Sequence, residues 1–179
     1  MQVALTTAFW GSFRSGELFP DHFFPALHVT LSDVTINSSN VIIHLKTSKM
    51  DVAKKGIDVR LFQNESIVCA VQAVKSFVQV RNDNRSCSPF FILPNGQSLT
   101  RRAFIANLRH LLTLLGVQTS SFSGHSLRVG AATSAAAAGL PDHLIQTLGR
   151  WNSLSYLRYI RIDDCIIERA HSKISKFFV

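Results

Sequence analysis

The chain has 179 residues, which is enough for one domain with its own core. Hydrophobic residues make up 46% and charged residues 17%, a balance typical of a globular protein and not of a disordered one. The formal charge of +8 predicts attraction to polyanions, although a charge that serves only solubility is an open alternative. No segment approaches the roughly 20 apolar residues of a membrane span. Residues 1–13 lack the basic start and cleavage site of a signal peptide. We therefore expect a soluble intracellular protein, nuclear if its source is eukaryotic.

Cysteine and histidine spacing argues against a metal centre. The three cysteines, Cys69, Cys87 and Cys165, are far apart and include no CxxC pair. The histidines have no metal-ligand spacing between them. We expect reduced thiols, no bound metal and no cofactor.

The first elements in chain order are a helix and a small sheet. VALTTAFWGSF has the apolar spacing of a helix, and Arg14 to Leu18 continues it as far as Pro20. HVTLSDVTI, NVIIHLK and GIDVRLF then have β-branched and partly alternating residues, and polar turns join them. These three runs predict an antiparallel sheet.

The remainder is predicted to be mainly helical. SIVCAVQAVKSFVQV repeats its apolar residues every three or four positions, so Val68, Val71, Val74 and Phe77 should face the core. Further helices are predicted over about 101–115, 126–138, 141–149, 154–159 and 163–177, with stops at Gly116 and Gly139. The fold class is α+β, mainly α, in one domain over residues 1–179.

The candidate chemistry begins with a His and an Arg placed together. His125 and Arg128 are three residues apart at the start of a predicted helix, so both project from one face near its positive end. This arrangement suits a phosphate, although on these two residues alone a capping His and a solvated Arg are the favoured explanation. The chain's two tyrosines, Tyr156 and Tyr159, follow downstream, one helical turn apart.

Together these segments resemble the tyrosine recombinase, or phage integrase, family. The chain carries GHSLR, LGRW and YLRYIR in the family's order, preceded by GSFRSGEL and by HLKTSKMD in a hairpin. These motifs cover about residues 9–161. GHSLRVGAATSAAAAGLP and LGRW are closest in character to recombinases of eukaryotic mobile elements of the DIRS and Crypton kinds. The resemblance implies a helical catalytic domain with a small sheet near its N-terminus.

The resemblance also implies a metal-independent site-specific recombination reaction on double-stranded DNA. A tyrosine attacks a backbone phosphodiester and forms a 3′-phosphotyrosine, which a second 5′-hydroxyl then resolves. Arg14 and Arg128 would engage the non-bridging oxygens, where charge increases in the transition state. His125 would serve proton transfer at the Tyr159 hydroxyl.

Two positions need a choice between neighbours. Lys49 fits the family's hairpin lysine, which protonates the departing 5′-oxygen, better than Lys46 because it lies at the hairpin tip. Tyr159 is preferred to Tyr156 as nucleophile because of its Tyr-Ile-Arg context and its distance of ten residues from Gly149.

The family's His or Trp after Gly149 falls on Arg150, with Trp151 one residue later. We favour Trp151, whose indole can donate a hydrogen bond beside the phosphate and also pack. Arg150 as a third cation, and Trp151 as plain core, are the alternatives.

Family members usually carry a helical core-binding domain ahead of this one, and we expect it to be absent here and DNA affinity to be weak. A stripe of apolar residues on the last helix implies a homotetramer on DNA through that helix, or packing on its own domain. The stripe consists of Ile166, Ile167, Ala170, Ile174 and Phe177. Two alternatives to an active recombinase are a decayed or domesticated copy that binds DNA without cutting, and a type IB topoisomerase-like enzyme.

Overall fold

The computed structural model describes residues 1–47, 55–162 and 164–176. Within these residues the chain is mainly helical, with one small antiparallel sheet, as predicted. Residues Leu31–Asp33 and Leu154–Arg158 form short 3₁₀ segments. The elements in chain order are α1 (Gln2–Trp10), α2 (Ser15–Leu18), β1 (Val34–Ile36), β2 (Asn40–Leu45), β3 (Ile57–Phe62), α3 (Ala70–Val80), α4 (Arg101–Leu114), α5 (Ser126–Ala137), α6 (Asp142–Gly149) and α7 (Asp164–Ser175).

A tight turn separates α1 from α2, so the prediction of one continuous helix was wrong. Ser12 adopts a left-handed conformation with φ of 46°. Phe13 folds back, and its backbone N–H donates to the carbonyl of Ala8 at 2.9 Å. A Cβ on Gly11 would lie 2.1 Å from the Phe13 ring, so only glycine fits there. The turn leaves Arg14 immediately ahead of α2.

The sheet has the order β1-β2-β3, with both pairs antiparallel. Alternation along β2 buries Val41, Ile43 and Leu45 on one face. β1 is shorter than predicted because the chain ahead of it forms a 3₁₀ turn. There the backbone N–H of Thr30 donates to Asp33 Oδ2 at 2.8 Å, which closes a capping box.

Helix α3 begins at Ala70, four residues later than predicted. Val71 and Val74 are buried and Phe77 packs against the core, as expected. Val68 precedes the helix and is 45% exposed, so its placement in the core was wrong. Its carbonyl instead accepts a hydrogen bond from Trp10 Nε1 at 2.9 Å.

The buried apolar side chains of the described residues form two clusters. The larger cluster joins α1, α3, the sheet and the start of α4. The smaller consists of Ala132, Ile145, Trp151 and Tyr156, from α5, α6 and the segment after α6. Helix α1 packs against α3 and against α5, so it lies between the two clusters.

Helix α7 is unlike the other helices because every one of its described side chains is exposed. Packing of its apolar stripe on its own domain is therefore not observed for Ile166, Ile167, Ala170 and Ile174. Phe177, the last member of the stripe, lies outside the described residues. Across the described parts of the chain, no helix combines the length and apolar character that a bilayer crossing requires.

Candidate active site

A cavity of about 470 Å³ opens where α2, the start of α5 and the end of β2 meet. Basic residues from five segments line it: Arg14, His28, Lys46, Arg101 and His125. The carboxylate of Glu17 also lines it. The structure thus brings two of the sequence-predicted residues, Arg14 and His125, to one positively charged cavity.

Arg14 is held by Glu17, three residues further along. The Glu17 carboxylate accepts a hydrogen bond from the Arg14 backbone N–H at 2.8 Å and one from the guanidinium at 2.9 Å. This is why the sequence GSFRSGEL is informative: the Glu caps α2 and at the same time orients the Arg. The Arg14 side chain remains 23% exposed, so part of its guanidinium is available to a ligand.

His125 caps the start of α5, next to Gly124. A Cβ on Gly124 would lie 2.2 Å from Ser15 Oγ, so glycine lets α5 approach α2 closely. Burial lowers the pKa of His125 below its ordinary 6.5, and the charges of Arg101, Arg14 and Arg128 lower it further against an opposing effect of Glu17. The imidazole is therefore mainly neutral at pH 7 and able to accept a proton.

Arg128 is fully buried and lies behind the cavity. Its guanidinium donates to the backbone carbonyls of Ser12 and Gly149 and lies 4.2 Å from the centroid of the Trp151 ring. Burial lowers its pKa to about 10, aided by the charges of Arg14 and Arg150, so it stays protonated at neutral pH. Its Nε is buried and has no partner among the described residues. In this conformation Arg128 ties three segments together and does not line the cavity.

The two tyrosines lie in different surroundings. Tyr156 is fully buried in the smaller cluster, and burial raises its pKa. Tyr159 is partly exposed, ends the 3₁₀ segment, and stands 5.5 Å from the Trp151 ring between centroids. Trp151 itself is 8% exposed. Tyr159 is near enough to Arg128 for its negative form to raise the pKa of that guanidinium.

Arg150 has a structural arrangement that sequence reasoning missed. It adopts the left-handed conformation at the end of α6, with φ of 55°. Its guanidinium pairs with Glu17 Oε2 at 3.0 Å, donates to the carbonyl of Gly11 at 2.8 Å and lies 4.9 Å from the Phe13 ring centroid. Glu17 is thus shared between Arg14 and Arg150. The acid in GSFRSGEL was the available signal, but its second partner lies more than 130 residues away.

Of the two candidates for the hairpin lysine, Lys46 and Lys49, the structure describes only Lys46. Lys49 lies outside the described residues. Lys46, at the end of β2, pairs with Asp33 Oδ2 at 2.5 Å and donates to the carbonyl of Pro25 at 2.7 Å. Lys46 therefore anchors the base of the hairpin at the rim of the cavity.

The sequence matches the phage integrase family over residues 26–164. It is 31% identical over 136 residues to an integrase/recombinase XerD homolog of Selenomonas ruminantium, covering 72% of this chain and 37% of that protein. The chain accordingly spans just over a third of that relative's length.

Solved structures with the same fold include two recombinases and an integrase. The XerA recombinase has a TM-score of 0.70 and 20% identity, covering 96% of this chain and 56% of that one. The XerH recombinase bound to its palindromic difH substrate has a TM-score of 0.68 and 18% identity, and the match covers 95% of this chain and 44% of that one. The Tn1549 transposon integrase in complex with circular-intermediate DNA has a TM-score of 0.61 and 16% identity, and the match covers 95% of this chain and 56% of that one. The fold is therefore that of a tyrosine recombinase catalytic domain. By its sequence, the chain belongs to the phage integrase family.

Proposed function

We propose that this chain is the catalytic part of a site-specific DNA recombinase that acts through a 3′-phosphotyrosine intermediate. The observation that carries the proposal is the cavity in which Arg14, fixed by Glu17, stands beside a neutral His125. A guanidinium and an imidazole so placed suit a phosphodiester. Membership of the phage integrase family supplies the reaction class.

In the proposed reaction the Tyr159 oxygen forms a bond to phosphorus and the bond from phosphorus to the 5′-oxygen breaks. His125 accepts the phenolic proton, and Lys49 gives a proton to the departing 5′-oxygen. Arg14 and Arg128 stabilise the added charge on the non-bridging oxygens, worth about 3 to 4 kcal/mol per donor in comparable sites. Trp151 packs beside this group. The residues named carry every proton transfer, so no metal is required.

For Arg128 to take this role, its guanidinium must exchange at least one backbone carbonyl for the phosphate. Its unpartnered Nε supports such an exchange, since a buried donor without an acceptor is costly. The Nε of Arg150 is also buried without a partner among the described residues, but the Arg150 guanidinium is paired with the Glu17 carboxylate, whereas Arg128 donates only to backbone carbonyls. We assign Arg150 to holding Arg14 in place and not to contacting the phosphate.

The test is covalent capture on nicked duplexes with randomised sequence around the nick. Wild-type protein should form an adduct that survives denaturation, and Tyr159→Phe should abolish it. Tyr156→Phe is the matched control and should retain the adduct if it folds, which thermal melting checks. The adduct should persist in excess EDTA. Loss of the adduct in Tyr156→Phe alone would reverse the assignment of the nucleophile.

The same experiment distinguishes the alternative functions. DNA binding without any adduct would indicate a domesticated copy. An adduct accompanied by plasmid relaxation, without exchange between two sites, would indicate a topoisomerase-like enzyme.

We further propose that copies assemble on double-stranded DNA as a homotetramer through α7. The stripe on α7 is exposed at each of its described members, Ile166, Ile167, Ala170 and Ile174. A largely apolar groove of about 390 Å³ lies between α1, α5 and α6, lined by residues such as Trp10, Ala135 and Leu148. It suits the α7 stripe of a second copy.

The assembly is tested by light scattering with and without duplex DNA. Ile174→Glu places a charge on the stripe and should prevent assembly. Ser172→Glu adds the same charge off the stripe and should not. Equal behaviour of the two variants, or assembly by neither, would contradict docking through α7.

A further inference from the structure

The cavity carries more positive charge than one phosphate contact uses. Of its lining residues, Lys46 is already paired with Asp33, and Glu17 is shared by Arg14 and Arg150. The cationic groups left for a ligand are the exposed part of Arg14 and the side chain of Arg101.

Arg101 reaches this cavity from the first turn of α4. Its Nε lies 3.3 Å from where a Cβ on Gly124 would stand, so the guanidinium borders the loop just ahead of His125. Its charge is the largest electrostatic contribution that lowers the pKa of His125. The position of Arg101 Nε and its electrostatic effect agree in placing this guanidinium close to the His125 imidazole.

Arg101 also differs from the other arginines of its helix. Arg109 donates twice to the carbonyl of Phe122, at 3.0 and 2.7 Å, and so serves the fold. Arg101 is exposed, and in the described portion of the chain no acceptor or carboxylate engages it. Arg102 is equally exposed but is not among the residues that line the cavity.

We propose that Arg101 forms a second phosphate position in this cavity, which binds the backbone phosphodiester next to the one held by Arg14 and His125. The inference rests on the proposed function, since it supposes a DNA strand in the cavity. A volume of about 470 Å³ falls within the size range of small-molecule sites and exceeds the needs of one phosphate group. An arginine already exposed loses little hydration when it takes up this anion, and the charge-assisted hydrogen bond is the stronger kind.

The second position fixes the register of the strand without reading its sequence. Contacts to phosphate oxygens orient a protein on DNA but carry no base information. With two successive phosphates held, the phosphodiester at Arg14 has a fixed orientation in the cavity, whichever nucleotides flank it. Burial and the same guanidinium both lower the pKa of His125, which favours the neutral imidazole that the proposed proton transfer needs.

The test uses thymidine trinucleotides with two charged linkages, or with a neutral methylphosphonate at either one, followed by NMR at the His125 imidazole. In wild-type protein each neutral linkage should weaken binding. In Arg101→Ala, one of the two methylphosphonates should no longer weaken binding, because the guanidinium that contacts the charged linkage is absent. At that linkage, the charged and neutral trinucleotides should differ in Kd by roughly three- to fivefold in wild-type protein and should bind alike in Arg101→Ala. Arg102→Ala has the same charge change on the same helix and should keep both losses.

The pKa of His125 should also rise in Arg101→Ala, with Arg14, Arg128 and Glu17 left in place, and stay unchanged in Arg102→Ala. Retention of both linkage effects in Arg101→Ala would overturn the second position, as would an unchanged His125. Either result leaves the proposed function standing if Tyr159 still forms an adduct. Conversely, a missing adduct with an intact linkage effect refutes the cleavage reaction and not the second position.

Discussion

The two apolar clusters are built in different ways. Within the described residues, the larger contains twenty buried apolar residues, drawn from the sheet, from α1 to α4 and from the segments that connect them. The smaller contains four, on alanine-rich α5, on α6 and on the segment that carries Tyr159. Few large side chains are buried there, so the region that bears the proposed nucleophile cannot rely on apolar packing alone.

Buried arginines compensate for this difference. Arg128 donates from α5 to the carbonyls of Ser12 and Gly149, and Arg150 donates to Gly11 and pairs with Glu17. Both therefore tie the smaller region to the turn after α1. Buried donors with fixed acceptors give a specific geometry, whereas a small cluster leaves low resistance to local opening. We therefore expect the segment that carries Tyr159 to be positioned mainly by polar anchors and to open more easily than the larger cluster.

The largest effect is expected at Phe104, inside the larger cluster. Its ring stacks on Phe19 with centroids 4.1 Å apart, and both side chains are almost fully buried. Phe104→Ala should lower the free energy of unfolding by about 3 to 5 kcal/mol, because it loses burial and leaves a cavity. Urea unfolding followed by circular dichroism measures this. A loss below 1 kcal/mol would show that the larger cluster does not dominate stability.

A smaller and more local effect is expected at Ile145 in the smaller cluster. Ile145 is 2% exposed but borders the groove between α1, α5 and α6, so its surroundings can partly collapse. Ile145→Ala should cost about 2 kcal/mol, at the low end for this change. Hydrogen exchange should accelerate in α5 and α6 and stay unchanged in the sheet. Equal acceleration in both regions would refute the distinction between the clusters.

Local sequence patterns predicted most of the helices and strands. The predictions that were wrong concern features that depend on contacts between residues far apart in the chain. Glycines at 116 and 139, both with positive φ, end their helices as the sequence indicated. The turn at Ser12 was not predictable from VALTTAFWGSF, because it depends on Phe13 folding back onto α1 and on arginines far along the chain.

For the candidate site, the order of the motifs predicted that Arg14, His125 and Arg128 lie close together. The structure places Arg14 and His125 in one cavity, and Arg128 does not line it. Motif order did not reveal that Arg128 and Arg150 are held by backbone carbonyls, since such acceptors leave no trace in side-chain patterns. The roles of Tyr159, Trp151 and Lys49 stay predictions.

A smaller effect again is expected at Asp33, a polar anchor beside the larger cluster. Burial alone would raise the pKa of Asp33, but hydrogen bonds from Lys46 and Thr30 outweigh it and hold the pKa below its ordinary 3.8. A carboxylate with a lowered folded-state pKa contributes stability above its unfolded pKa and loses it as the pH falls through the folded value. Asp33→Asn should therefore cost about 1 kcal/mol at pH 7, and the difference from wild type should shrink below about pH 4.

Asp58→Asn, in β3, is the matched control for Asp33→Asn, which lies just ahead of β1. Asp58 pairs with His44 at 2.7 Å, but both side chains are more than 40% exposed, so its removal should change stability by only a few tenths of a kcal/mol. Parallel acid titrations of the unfolding free energy compare the two variants with wild type. If Asp33→Asn costs as much as Ile145→Ala, a polar anchor beside the larger cluster stabilises the fold as much as apolar packing does in the smaller cluster. The contrast between the regions of the two clusters is then lost. If Asp33→Asn costs no more than Asp58→Asn, the ion pair between Asp33 and Lys46 adds little, and apolar packing alone holds the hairpin base. The difference between the regions of the two clusters is then larger than that ion pair indicates.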